Sequence, residues 1–585
     1  MRSQSPETFE PATLSTQLVG DLAVPTGLQP VKVEAVGMIN GLHGTGSDPA
    51  PSPQRAALLT EMQTRKVTNP NAVLASGNVS LVLVQGWMKA GIQKGDHFDI
   101  EVRVPSQSET TSLRGGYLLE TRLMEMAILD QQLRHGNLLA LAQGPVLVDP
   151  TDDPKKDRIL LCRGRVLRGG VARKSRPLGL VLMPEHQNVL NSARVANAVN
   201  RRFHTYRNGV KVGVAKAISD ELIELTVHPR YKENITRYVK VVRSLAISES
   251  APKRMKRIAM LQDQLLEPTT SADAAIQLEA LGFSGADALL KGIKSKDPEV
   301  RFYSAEALAY LDRREAAEPL GQIAREQPAF RVFGLTALSA MQDFAAYDQL
   351  QALLSLPSAE TRYGAFRALW AMNPNDPLVK GELLGDQFNY HVLDVGGPAM
   401  IHVTRNRLTE VILFGPEQKL SPPMALNAGN EIMVTSAGGD EISVSKFSVA
   451  DGDQKRIVST RVDDVIRAVV ELGGTYPDVV QVLQEAKASG ALASRFEVDA
   501  LPEAGRMYDR VARNPRGDVE TDTGESETSA IPASPSPELF SKRPAKSSST
   551  GGDGSAKSAE KFDENAVSDA ETNTKKSFFA RILGR

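Results

Sequence analysis

The sequence predicts an α+β multidomain protein, interrupted by an all-α solenoid and closed by a disordered tail. Three observations carry this prediction. Runs that alternate apolar and polar residues, such as Val31-Lys32-Val33-Glu34-Ala35-Val36, are punctuated by glycine turns early in the chain and again after Phe388. Between these regions arginines recur at 301, 331 and 362, intervals of 30 and 31 residues, each followed at a fixed offset by alanine and leucine. After about Val511 the aromatics nearly vanish and Ser, Thr, Gly, Pro, Glu and Lys dominate.

A chain of 585 residues can hold several domains, each with its own core. Hydrophobic residues make up 41% and charged residues 24%, as in ordinary soluble proteins. The net charge of -1 gives no bulk attraction to nucleic acid or acidic membranes, so no nucleic-acid partner is expected and electrostatic binding must be local. The single cysteine, Cys162, has no partner for an intrachain disulfide; it sits in the apolar run Ile159-Leu160-Leu161 and is expected to be a buried structural thiol. No run approaches the roughly 18 to 20 apolar residues of a membrane span. Met1 to Glu7 opens no signal peptide, because no apolar run of about 7 to 15 residues follows.

Residues 1–150 read as a first α+β region. The strand at Val31 runs into Gly41-Leu42-His43-Gly44-Thr45-Gly46, where glycines admit positive φ. That composition suits a phosphate cradle, but no Gly-Lys-Ser/Thr ending and no full GxGxxG follow, so a structural turn is expected. A helix is predicted from Pro53 to Thr64, with strands from Val79 to Val84 and from Gly95 to Val102. The run Asp149-Pro150-Thr151-Asp152-Asp153-Pro154 marks a loop and a boundary.

Residues 151–255 form a second, basic region. Lys155, Lys156, Arg158, Arg163, Arg165, Arg168, Arg173, Lys174 and Arg176 face a single acid, Asp157. Such a run is a solvated face or a surface for an anionic partner. In the second case Arg163, Arg165, Arg168, Arg173, Lys174 and Arg176 are the candidate residues. A helix is predicted from Ala193 to Phe203, and strands from Leu222 to Val227 and from Val239 to Leu245.

Residues 256–385 follow a different rule. Asp297-Pro298-Glu299-Val300-Arg301, Gln327-Pro328-Ala329-Phe330-Arg331 and Ser358-Ala359-Glu360-Thr361-Arg362 each open a helix, and Ala307, Ala337 and Ala368 precede Leu308, Leu338 and Leu369. Small alanines allow close helix approach and the leucines supply a buried stripe, so the units resemble HEAT repeats. Asp273 to Leu278 could start a helix but lacks the arginine and alanine offsets, as an atypical terminal repeat would.

In residues 386–510 strands are predicted at Ile401 to Val403 and Val411 to Phe414, then helices from Val462 to Leu472 and from Pro477 to Ser489, stopped by Gly473-Gly474 and Gly490. Residues 511–585 bury too little apolar surface to offset their ordering entropy and are expected to be disordered. They end in Lys575-Lys576-Ser577-Phe578-Phe579-Ala580-Arg581-Ile582-Leu583-Gly584-Arg585, a short basic amphipathic peptide with the character of a docking motif.

Catalytic and metal-binding signatures are missing from the sequence. The eight histidines form no HExxH and no zinc spacing with the cysteine, and no GxSxG elbow exists. Asp152-Asp153 sits in a loop and Asp463-Asp464 opens a helix, where acids favour the dipole. No enzymatic activity, catalytic residue, cofactor or metal is expected.

Several of these segments recur, in the same order, in one family. The Gly41 to Gly46 turn, Leu113-Arg114-Gly115-Gly116-Tyr117-Leu118-Leu119 and Leu141-Ala142-Gln143-Gly144-Pro145-Val146 resemble the GLNGTG-like turn, SLxGGTLL-like strand pair and AQGPV strand end of the bacterial flagellar P-ring proteins. The resemblance resumes in Ala399 to Asn406, Val411 to Gly415, Val465 to Ala468 and Ala486 to Leu492. It implies a structural ring-subunit fold into which the repeats are inserted at a surface loop, so that removing about Leu265 to Pro377 should leave a folded core. The implied role is a periplasmic basal-body subunit that assembles with itself around the rod as a bushing in the cell wall. The implied partners are rod and L-ring proteins and peptidoglycan, with an unknown protein for the repeats. Because the family is exported, the missing signal peptide suggests a start drawn too far downstream. The alternative is a HEAT-repeat scaffold that binds a protein partner without a flagellar role.

Overall fold

The computed structural model describes residues 16–129, 132–148, 158–405, 409–429, 431–448, 452–510 and 528–540. The amphipathic peptide at 575–585, Lys155, Lys156 and the Asp152-Asp153 pair lie outside the described residues.

The first module is an antiparallel barrel. Strands Val31–Asn40, Ser80–Met88, His97–Arg103, Tyr117–Leu129, Gln132–Pro145 and Arg163–Ala172 pair in a sheet that closes where His97–Arg103 meets Arg163–Ala172. Val33, Ile39, Val82, Val84, Ile100, Leu118 and Val166 fill its interior, the inward set of a period-two pattern. The glycine turn follows the first strand as expected, and its amides are already used. Gly44 N donates to Asn78 Oδ1 at 3.0 Å, Thr45 N to the Leu42 carbonyl at 3.0 Å and Gly46 N to the Gly77 carbonyl at 2.8 Å. A Cβ on Gly46 would come within 2.1 Å of the Val79 carbonyl oxygen, so close backbone approach explains that glycine.

The second module is a four-stranded antiparallel sheet in the order Ala23–Thr26, Leu178–Leu182, Leu222–Leu225, Ala215–Ala217. Helices Val189–Arg202 and Ile235–Arg243 belong to this module. The second helix corrects the strand expected from Val239 to Leu245. Its β-branched run carries strand propensity, but Asn234 caps the helix by accepting from Arg237 N at 3.0 Å, and Ile235, Tyr238, Val239, Val241 and Val242 bury a helical stripe.

Eight helices of the repeat region follow: Ala251–Leu265, Pro268–Ala280, Ala286–Gly292, Pro298–Tyr310, Ala317–Glu326, Pro328–Ser339, Phe344–Leu353 and Ala359–Met372. The alanine and leucine positions of the repeat are all buried. The arginine has the same task in each unit, which is to satisfy carbonyls at or just past the end of the preceding helix. Arg301 donates to Ser295 O and Lys296 O at 3.0 and 2.7 Å, Arg331 Nε to Ala324 O at 2.9 Å, and Arg362 Nε to Leu354 O at 2.7 Å.

The last module combines two sheets with helices Val462–Glu471 and Tyr476–Ala488. A mixed sheet runs in the order Glu382–Leu384, Phe388–Leu393, Glu410–Phe414, Met400–Val403, Arg495–Val498, and a meander runs through Ala425–Ala428, Ile432–Gly438, Glu441–Lys446 and Gln454–Ser459. Disorder across 511–585 does not hold for residues 528–540. Strand Thr528–Ala530 pairs with Tyr508–Arg510, and Leu539 and Phe540 enter the core shared by the repeats and the second module. Two buried apolar side chains and a paired strand supply the anchorage that average composition hides.

Candidate anionic surface and buried charge junctions

Strand Arg163–Ala172 carries most of the basic candidates. Its burial alternates as far as Val166, so Arg163 and Arg165 point outward. Between the pairs Val166↔Ile100 and Gly170↔Phe98 the register shifts, and Arg168 takes a φ of 54° at this bulge. There the Arg168 amide donates to Asp99 Oδ1 at 2.9 Å, and its side chain lines a cleft of about 440 Å³ with His97, Tyr117, Leu383 and Gln387. Arg173 and Lys174 follow the strand and are exposed.

The six candidates do not form one patch. Arg165 Nη1 donates to the Arg405 carbonyl at 3.0 Å, tying the barrel to the last module. Arg176 is half-buried and donates to the carbonyls of Met88 and Gln29 at 2.9 and 2.8 Å; burial draws its pKa down, against the pull of Glu125. Leu147 and Leu167, beside these residues, belong to the core of the last module, which covers part of the strand's outer face. Arg163, Arg168, Arg173 and Lys174 remain exposed, the first two on the ten-residue strand and the last two just past its end. A fifth cation was not singled out from the sequence: exposed Arg103 is the register partner of Arg163 across the barrel seam. Like charges directly opposite destabilise a strand pair, so this pair favours an anion nearby. The alternation in Ile100-Glu101-Val102-Arg103 placed Arg103 outward; only the pairing placed it beside Arg163. Cys162 is half-buried rather than buried, with Sγ 3.2 Å from the Thr110 carbonyl.

Buried charge is concentrated where the repeats join the rest of the chain. At the entry, Arg237 from the second module is 1% exposed and contacts Glu279 at 2.6 Å and Glu306 at 2.7 Å, with its guanidinium 4.7 Å from the Tyr310 ring centre. The Tyr231 hydroxyl donates to Glu279 at 2.6 Å. Burial opposes the charge on Arg237, but the two carboxylates outweigh it and raise the pKa. At the exit, Tyr363 donates to Glu410 at 2.5 Å, Arg367 lies 3.4 Å from the same carboxylate, and the Tyr363 ring stacks on His402 at 3.9 Å. The repeats are therefore joined through buried contacts at both ends, not through loop ends alone. The sequence marks none of these residues, because their partners lie on different elements.

A closed barrel, a helix-backed sheet and a solenoid follow one another in the chain, and buried polar groups fasten the solenoid to its neighbours. No group of side chains suited to a metal ion occurs among the described residues, and no described helix is long and apolar enough to cross a membrane. Residues 19–258 match the flagellar P-ring protein family, and residues 261–375 match HEAT repeats. A flagellar P-ring protein of Thermotoga maritima is 28% identical over 251 residues, covering 41% of this chain and 70% of the relative. Flagellar P-ring protein 1 of Bradyrhizobium diazoefficiens is 27% identical over 244 residues, covering 40% and 61%, and that of Helicobacter acinonychis is 22% identical over 248 residues, covering 41% and 65%. The chain carries a flagellar P-ring domain joined to HEAT repeats, and its homology is to a structural family rather than an enzyme family.

Proposed function

We propose that this chain is a periplasmic subunit of the flagellar basal body, assembling with copies of itself into a ring around the rod and acting there as a bushing. The observation that carries this reading is the match of residues 19–258 to the P-ring family. Ring closure needs heterologous contacts between different faces of adjacent copies. A suitable face is the isolated hairpin of His204–Arg207 and Val210–Gly213, which exposes Tyr206 and Val210 at 70% and 65%. A two-stranded hairpin with apolar side chains in water is marginal alone and gains from a neighbour. In this reading rod and L-ring proteins meet the ring, and residues 386–510 resume the ring fold after an insertion. The alignment leaves 30% of the Thermotoga maritima relative unmatched, which makes room for such a portion. A free-standing repeat scaffold has less support, because the chain's own residues 501–510 and 528–540 pack against the repeats.

The exposed cations fit the anionic cell wall. Sedimentation of the full chain with isolated peptidoglycan should weaken as salt rises, since the screening length falls from about 10 Å at 0.1 M to about 3 Å at 1 M. Replacing Arg163, Arg168, Arg173 and Lys174 by Glu should abolish co-sedimentation without changing circular dichroism. Unchanged sedimentation would return these residues to a solvated face. Negative-stain imaging tests the ring itself, and a persistent monomer over the assembling concentration range would reject it.

A further inference from the structure

Residues 501–510 and 528–540 pack along the helical repeats. Pro502 seats on Gly364, Tyr508 places its ring 4.6 Å from Phe330, and Arg510 forms two bonds to Glu299 at 2.7 and 2.8 Å. After 511–527 the chain returns to the same place, since Thr528 is the register partner of Arg510. It continues as Pro532-Ala533-Ser534-Pro535-Ser536-Pro537, in which all three prolines are buried. The Ser534 hydroxyl donates to Glu306 at 2.6 Å, and Ala533 N donates to the Tyr303 hydroxyl at 2.8 Å. Glu538 then caps helix Ile235–Arg243, accepting from Ile235 N at 2.8 Å while its own amide donates to the Glu233 carbonyl at 2.9 Å. Leu539 and Phe540 close the run in the shared core.

We propose that segment 528–540 is exchanged between adjacent copies, each copy's segment filling the repeat groove of its neighbour. Every contact named for 528–540 is made to the groove, to helix Ile235–Arg243 and the Glu233 carbonyl just before it, or to the edge of Tyr508–Arg510, so a neighbour's segment would reproduce each one. Exchange of an identical element between protomers therefore carries no loss of contacts. The connection has far more reach than the cis arrangement uses. Residues 511–527 number seventeen and join two paired positions, a task that hairpins perform with about 2 to 5 residues. Seventeen extended residues span about 56 to 61 Å at 3.3 to 3.6 Å each, enough to cross to an adjoining copy. Once copies are held side by side, the effective concentration of the neighbour's segment is high and the second docking becomes nearly intramolecular. Exchange would convert a surface contact between copies into an interlocked one and would assign the repeats their ligand, an extended segment of a second copy.

The proposal rests on the ring reading above, and the test separates the two. Full-length chains carrying Cys162→Ser are prepared with either Glu233→Cys or Glu538→Cys, mixed before assembly, imaged, oxidised and run on a non-reducing gel. Exchange gives a band at twice the chain mass that only the mixture produces. A chain carrying both cysteines, diluted below assembly, reports whether the pair closes within one molecule, and a short bismaleimide reads the same proximity where disulfide geometry is not met. Rings without the mixed band, with closure confined to single chains, overturn exchange and leave the ring standing. A mixed band without rings keeps exchange and removes the ring, and loss of both removes both.

Discussion

Arg237 shows what one side chain does at a module junction. A guanidinium removed from water is tolerable only where countercharges and hydrogen bonds surround it, and Glu279, Glu306 and the Tyr310 ring supply them. Arg237→Met should destabilise the chain by about 3 to 5 kcal/mol, because two buried carboxylates lose their countercharge. Adding Glu279→Gln and Glu306→Gln should restore much of that loss in urea unfolding; no recovery would mean that packing, not charge, is what Arg237 supplies. His402 makes the complementary case. Its Nε2 accepts from Ala500 N at 3.1 Å, its ring stacks on Tyr363, and burial holds its pKa down to about 3. The unfolded chain takes up a proton below about pH 6.5 while the folded one does not, so stability present above that pH is lost progressively as pH falls toward 3. Between pH 7.5 and 4.5 this residue alone should cost about 2 to 3 kcal/mol, and His402→Gln should flatten the pH dependence of the urea midpoint by a matching amount. An unchanged slope in the variant would assign the acid sensitivity elsewhere.

At the scale of the element, the repeats show why a period of about 30 residues carries an arginine. Each repeat must end one helix and begin the next, and the arginine satisfies the carbonyls left open at that corner. Leu338, by contrast, is fully buried in the stripe that the period predicted. Leu338→Ala should therefore lower stability by about 2 to 5 kcal/mol, combining lost burial with the cavity left behind. A urea midpoint within error of the parent would show that the site collapses without loss. Helix Ile235–Arg243 teaches the opposite lesson, since its β-rich sequence is overridden by a capping asparagine and a buried face.

For the whole molecule, the repeats share one core with the second module, whereas the barrel core is separate. Replacing 265–377 by a flexible linker should consequently leave the barrel folded and strip helix Ile235–Arg243 of its cover. Hydrogen exchange should show barrel amides still protected and those of 235–243 exchanging freely. Persistent protection there would support a core that stands without the repeats.

The sequence by itself determined what is local and periodic: barrel strands from alternation, the glycine turn, the repeat units with their alanines and leucines, and the closing helical pair. Those features follow from steric rules and periodicities that act over a few residues. Only the tertiary structure decided which cations are available. Arg165 and Arg176 are spent on carbonyls far along the chain, while Arg103 joins Arg163 through a barrel seam. It also decided that 528–540 docks, because the deciding partners, Glu306, Tyr303 and Glu233, lie more than two hundred residues away in sequence. Composition averages over such contacts, and only the folded chain brings them together.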